Sequence, residues 1–310
     1  MPLLRTLLLK LSTRRRIGDA MDRLPAARRF VRRFVAGESA ADAFAVLERL
    51  EAQGLTSAVT YLGENVATPD DAANAARTYL DLVEEIERRR LHAEPSVKLT
   101  HLGLDLGEAV CRVNLETVLA RAAAARIRVW IDMESSAYTD RTLDLYGTVQ
   151  GRYPNTACVV QSYLRRTAAD VERLIERGAA VRLCKGAYRE PPGIAFPAKR
   201  DVDASYARLM DRLLAPDARA RGVYPAFATH DERLLGSARA LARERGVARD
   251  RFEIQMLYGI RSDLHAPLAA EGLALRVLVS YGKDWYGYFM RRLAERPANL
   301  VFFLRQLGRG

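Results

Sequence analysis

Residues 157–188 read ACVVQSYLRRTAADVERLIERGAAVRLCKGAY, and this stretch decides the fold. An apolar run, ACVVQSY, stops at polar Gln161, and a helix-patterned stretch, TAADVERLIERG (167–178), follows. A second run, AVRLCKGAY (180–188), then delivers Arg182 and Lys185. Both runs are nearly continuous in apolar residues, as strands are when each face of their sheet is covered. The unit therefore reads as strand, crossover helix and parallel strand.

The same form recurs outward in both directions. SVKLT (96–100), RVWIDME (128–134), AFATHD (226–231) and EIQMLYG (253–259) deliver Lys98, Asp132, Thr229 with His230, and Gln255. LTSAVTYLGE (55–64) precedes them and LALRVLVSYG (273–282) follows. Helix patterns such as 69–90, 114–126 and 204–215 lie between. A spacing of roughly thirty residues is that of a β/α unit. Eight such strands in about 250 residues predict an α/β fold, a closed (β/α)8 TIM-like barrel, rather than an open doubly wound sheet. Barrel enzymes build their sites at the C-terminal strand ends, where these polar residues fall.

Residues 1–50 read as a helical segment and 51–310 as the barrel, with no Gly/Pro/Ser linker between 50 and 300. The opening MPLLRTLLLKLS spaces Leu4, Leu7, Leu8 and Leu11 as one face of an amphipathic helix. Arg5 and Lys10 interrupt it, so it does not read as a targeting segment. The leucine face either packs on the domain or touches a membrane surface. After the eighth strand, KDWYGYFMRRLAERPAN sets aromatic residues before Arg291, Arg292 and Glu295. On a helix these three neighbour one another, either as a solvated ion-pair face or as an arginine pair that grips a carboxylate.

The formal charge is +11, yet only Lys10, Lys98, Lys185, Lys199 and Lys283 are lysines. An arginine-, alanine- and leucine-rich chain of this kind reflects codon bias, and the aromatic–basic patterns of nucleic-acid binders are missing. Cys111, Cys158 and Cys184 are far apart, which suits a reducing compartment and neither a disulfide framework nor zinc spacing. His230 is the one histidine at a strand end, so no metal site is expected. There is no GxGxxG after a strand. Lys98, Arg182, Lys185, Arg291 and Arg292 make a cationic mouth for a small anion, a phosphorylated cofactor, or both. Asp132, Glu64 and Glu295 are its counter-charges. Lys98 also fits a Schiff-base role in an aldolase-like barrel, and Gln161 or Gln255 could simply cap strand ends.

At VRLCKGAY, FATHD, EIQMLYG and RRLAERPAN, taken in order, the chain resembles the proline dehydrogenase family in its short monofunctional bacterial form. The resemblance covers roughly residues 50–305. It implies a barrel binding FAD at the strand ends, with a last barrel helix lying over the mouth. L-proline would be oxidised to Δ1-pyrroline-5-carboxylate by hydride transfer from C5 to flavin N5, and a membrane quinone would take the electrons. By this resemblance Arg182 sits beside N5, while Gln161 and Gln255 hydrogen-bond the flavin and Met133 lies against it. Lys185, Gly186, Ala187, Thr229 and His230 would hold the diphosphate and adenosine. Lys98, Arg291 and Arg292 would clamp the substrate carboxylate, with Glu295 in support and Tyr188 and Leu257 walling the ring. Asp132 would act electrostatically, and Glu64 would pair with Arg182 as a gate. The implied location is the bacterial cytoplasm, with peripheral contact at the inner membrane face as a further option. One departure stands out. The family usually carries a tyrosine in a segment like RVYxPYG on the eighth strand, whereas this chain has RVLVSYG, with Leu278 in that place.

Overall fold

The computed structural model describes residues 31–295, with side chains as far as residue 290. Eight parallel strands close into a barrel in chain order. They are β1 Thr56–Tyr61, β2 Ala93–Val97, β3 Val129–Ile131, β4 Thr156–Gln161, β5 Ala180–Cys184, β6 Tyr224–Ala228, β7 Glu253–Leu257 and β8 Leu275–Tyr281. Closure runs along β1 and β8, with Ala58 opposite Leu278 and Thr60 opposite Ser280. All eight apolar runs are strands, so the (β/α)8 expectation holds. The run at 96–100 is displaced, because its strand starts at Ala93 and ends at Val97. Beyond it the Lys98 carbonyl accepts from the amides of His101 and Leu102, turning the chain away from the sheet.

The helices are α1 Ala40–Glu51, α2 Pro69–Arg89, α3 Glu108–Ala124, α4 Thr139–Val149, α5 Thr167–Glu176, α6 Lys199–Leu213, α7 Pro216–Ala220, α8 Glu232–Glu244, α9 His265–Ala270 and α10 Trp285–Glu295. Ser39 and Asp42 form a capping box that starts α1, and Thr68 caps α2 ahead of Pro69. Helix α1 crosses the boundary drawn at residue 50 and packs Phe44, Leu47 and Leu50 into the core, against β8 and β1. It thereby fills the slot that a helix following β8 would occupy. Helix α10 packs elsewhere, with the Phe289 ring 6.1 Å from that of Phe34. Phe34 belongs to a segment tied to the end of β8, where the Ala36 amide donates to Ser280 and the Gly282 amide to Gly37. The same segment presses on Gly259, where a Cβ would lie 1.5 Å from the Arg33 carbonyl and φ is +74°. That arrangement places α10 at the mouth. The leucine face expected at residues 4–11 lies outside the described residues.

Strand alternation turns Glu94, Ser96, Trp130, Arg182, Glu253, Gln255, Arg276 and Leu278 inward. Those near the strand starts form a charged floor. Arg276 meets Glu253 through two hydrogen bonds, at 2.9 and 3.1 Å, and Glu94 at 3.1 Å. Its remaining nitrogen donates to the Ser57 carbonyl at 2.9 Å, and Arg128 approaches Glu94 at 3.5 Å. Burial pushes the Glu94 carboxyl up. Burial works the same way on Glu253, but Arg276 more than offsets it and holds that carboxyl low. Two arginines and two carboxylates thus leave the floor near neutrality, which is how buried charges are tolerated.

Candidate active site

Arg182 is the third residue of β5, and only 3% of it is exposed. Its Nη1 donates to Asp132 at 3.0 Å and to the Ser96 hydroxyl at 2.8 Å, while Ser96 in turn donates to Asp132 at 2.7 Å. The guanidinium carbon stands 4.5 Å over the Trp130 ring, whose indole N–H is fixed by Glu94 at 2.5 Å. The floor therefore carries Trp130, Trp130 carries Arg182, and Asp132 turns it. Burial works against the charge of Arg182, and Asp132 supports it. Glu64, expected as a gate partner of Arg182, lies beyond the end of β1. The arginine spends its ion pair on Asp132.

Beside it, Gln161 ends β4. Its amide nitrogen donates to the carbonyls of Met133 at 2.7 Å and Glu134 at 3.1 Å. Gln255 is held likewise by its amide nitrogen on Glu253. The buried Oε1 of Gln161 and the Nε and Nη2 of Arg182 have no hydrogen-bond partner. Native interiors seldom leave such atoms unmatched, and here two donors and an acceptor stand unmatched on the paired strands β4 and β5.

Lys98 is buried at the end of β2. The Leu257 amide donates to His230 Nε2 at 2.9 Å, joining the ends of β6 and β7. Thr229 accepts from the Asp231 amide through its hydroxyl at 3.2 Å. Lys185 is drawn into a network, 2.5 Å from Asp203 and 3.0 Å from Asp231, with Lys199 bridging the same two acids. Burial alone would raise the Asp231 carboxyl, yet Lys185 and Lys199 hold it at about 2. Leu257 and Leu278 lie side by side across β7 and β8, and Leu278 is the one residue of β8 that is not fully buried. Helix α10 brings Arg291, Arg292 and Glu295 to the mouth, but their side chains lie outside the described residues.

Sequence reasoning passed over Ser96, Trp130 and Glu134. The first two share strand parity with Lys98 and Asp132, so period-two reading of the same runs carries the signal. Glu134 is 2% exposed and accepts from both the Thr100 amide (3.1 Å) and its hydroxyl (2.6 Å). Burial raises its carboxyl to about 7, against the pull of those hydrogen bonds and of Lys98. A raised carboxyl means the folded state holds its proton more tightly than the unfolded chain does. Stability is therefore lost as pH climbs from about 4.5 to about 7. Melting curves of Glu134→Gln across this window should show a flatter pH dependence than wild type; parallel profiles would refute the assignment.

The fold is a (β/α)8 barrel with a buried arginine, Arg182, inside its wall. Residues 43–305 match the family profile described as Proline dehydrogenase. Proline dehydrogenase 2 of Bacillus subtilis subsp. natto is 38% identical over 270 residues, covering 87% of each chain. Proline dehydrogenase of Deinococcus radiodurans is 36% identical over 283 residues, covering 90% of each. A crystal structure of proline utilization A from Bdellovibrio bacteriovorus, inactivated by N-propargylglycine, superposes with a TM-score of 0.78 at 25% identity. It matches 86% of this chain and 32% of its own. The chain belongs to the proline dehydrogenase family.

Proposed function

We propose that this protein oxidises L-proline to Δ1-pyrroline-5-carboxylate with FAD bound at the strand ends, and passes the electrons to a membrane quinone. The observation that carries the reading is the set of buried, unmatched atoms on Arg182 and Gln161. A flavin ring system, with acceptor nitrogens and oxygens beside a single ring N–H, has the complementary edge.

In this reading Arg182, Gln161 and Gln255 hold the flavin edge and Met133 lies against it. Lys185, Gly186, Ala187, Thr229 and His230 line the path of the diphosphate and adenosine. When bound, the flavin supplies an acceptor for the hydride that leaves substrate C5. Lys98, Arg291 and Arg292 hold the carboxylate, with Glu295 behind them, so the ring is presented in one orientation. Tyr188 and Leu257 wall the ring and exclude water. Glu64 serves at the gate of the mouth. Arg182 favours negative charge at this end of the barrel, and Asp132 keeps it oriented. Among the described residues no helix is long and apolar enough to cross a membrane. By the resemblance, the quinone would be met by peripheral contact from the bacterial cytoplasm.

The test is a visible spectrum. A flavin band in the purified protein should bleach anaerobically on adding L-proline. Protein without flavin, or flavin that proline leaves oxidised, would overturn the proposal.

Leu278 gives a second expectation. It opens into the site beside Leu257 without a hydroxyl, so discrimination against 4-hydroxyproline should differ from that of a tyrosine-bearing site. Leu278→Tyr should shift the ratio of kcat/KM for proline over 4-hydroxyproline by about tenfold, the scale of one hydrogen bond. An unchanged ratio would remove Leu278 from the specificity determinants.

A further inference from the structure

Residues 185–198 connect β5 to α6 and arch over the end of β4. Their inner edge is bonded to that end. The Tyr163 amide donates to the Lys185 carbonyl, the Phe196 amide to Tyr163, and the Arg165 amide to Ile194, with a bridge between Leu164 and Ala195. Gly186, at φ +106°, passes so close to Tyr163 that a Cβ there would lie 2.2 Å from its ring. Pro191 and Pro192 stiffen the turn that brings the chain back. The outer edge of the arch is held at Glu190. Its carboxylate accepts from the Ser136 amide at 2.7 Å and the Ser136 hydroxyl at 2.5 Å. Ser136 begins the 3-10 turn Ser136–Tyr138 that leads into α4, and it follows the segment that carries Asp132, Met133 and Glu134.

These contacts close a ring around Gln161. The Met133 and Glu134 carbonyls hold the Gln161 amide, Gln161 ends β4, and β4 holds the inner edge of the arch. Glu190 ties the arch back to the chain that supplied those carbonyls. Gly186, Ala187 and Tyr188 lie on the arch between its two fastenings. A carboxylate that takes both an N–H and an O–H at the start of a helical turn makes a strong, directional tie.

We infer that Glu190 and Ser136 form a latch that positions the arch, and with it the Tyr188 wall of the substrate pocket. The inference rests on the proline reading of the site. Glu190 touches neither substrate nor cofactor in this scheme; it is a positioning residue. Its loss should loosen the pocket wall while the strand-end groups stay in place.

The test uses the flavin-loaded full chain in wild-type, Glu190→Ala, Ser136→Ala and Ser136→Thr forms. Steady-state kinetics with proline should show KM raised roughly tenfold in both alanine variants, the cost of losing a charge-assisted hydrogen bond. Values of kcat at saturating FAD should remain within about twofold of wild type, and Ser136→Thr should retain wild-type KM. Amide hydrogen exchange over residues 186–190 should quicken by about tenfold or more in Ser136→Ala, whose arch sequence is unaltered. Unchanged exchange would show that the latch does not hold the arch. Faster exchange with unchanged KM would show that the arch does not shape the pocket. A matching fall in kcat, flavin content and melting temperature would mark a general structural role, and each of these results overturns the inference. If Glu190→Ala fails to fold, the two Ser136 variants decide alone. Failure of the proline reading would appear separately, as wild-type protein that proline does not bleach.

Discussion

Arg182→Met should lower kcat/KM for proline by about 10²–10³ at saturating FAD, the scale set by removing one aligned donor from a reacting centre. Methionine fills the space above Trp130 but has no N–H to offer. Three functions are lost together: the charge, the bond to Asp132 and Ser96, and the buried Nε and Nη2 donors that have no partner in the protein. Arg182→Lys restores the charge at a single point and should recover only part of the loss, because an ammonium cannot bond Asp132 and the ligand in two fixed directions. Rates measured alongside flavin content per protein would separate weak cofactor retention from impaired turnover. A methionine variant within fivefold of wild type, with full flavin, would rule out Arg182 as the electrostatic centre.

Arg276→Met addresses stability instead, and should cost about 3–5 kcal/mol, as breaking a buried ion pair from one side does. Glu253 loses its two hydrogen bonds to Arg276, and Glu94 keeps only Arg128, at 3.5 Å, as a cation. At about 2 °C per kcal/mol for a chain of this size, the melting temperature should fall by roughly 6–10 °C. The sign of the pH effect follows from the same geometry. Without Arg276 both carboxyls rise, so the folded variant binds protons more tightly than the unfolded chain. Its deficit against wild type should then be smaller near pH 5 than near pH 8. Melting curves at the two pH values check this, and a deficit independent of pH would mean that the floor charges are screened or that water has entered. Removing the whole ionic set for apolar residues is a different experiment and need not destabilise, since burying charge is itself costly.

Much of the architecture was legible because the barrel is written in short-range patterns. Each apolar run such as AVRLC (180–184) or EIQML (253–257) became a strand, and each intervening amphipathic stretch became a helix. Gln161 closes β4, and Lys98, Asp132 and Thr229 stand one residue past β2, β3 and β6, whereas Arg182 and Gln255 lie at the middle of β5 and β7. Lys98, Gln161, Arg182 and Gln255 could be named before any contact was known. Glu64 shows where such reading stops. Its place after β1 was legible, whereas the partners of Arg182, Asp132 and Ser96, come from two other strand ends and depend on distances across the barrel.

The sequence by itself determined the strand and helix succession, the direction in which the strands run, and which polar side chains stand at their C-terminal ends. Those properties follow from local periodicity and from the need to cover both faces of a parallel sheet. Tertiary structure alone decided the partners. It set Trp130 beneath Arg182, fastened the Gln161 amide to the Met133 carbonyl, closed Lys185 into a network of two acids, and brought Glu190 onto Ser136. Each of these joins residues of different strands or loops, and their meeting is fixed by the stagger of the closed barrel, which strand periodicity alone does not encode.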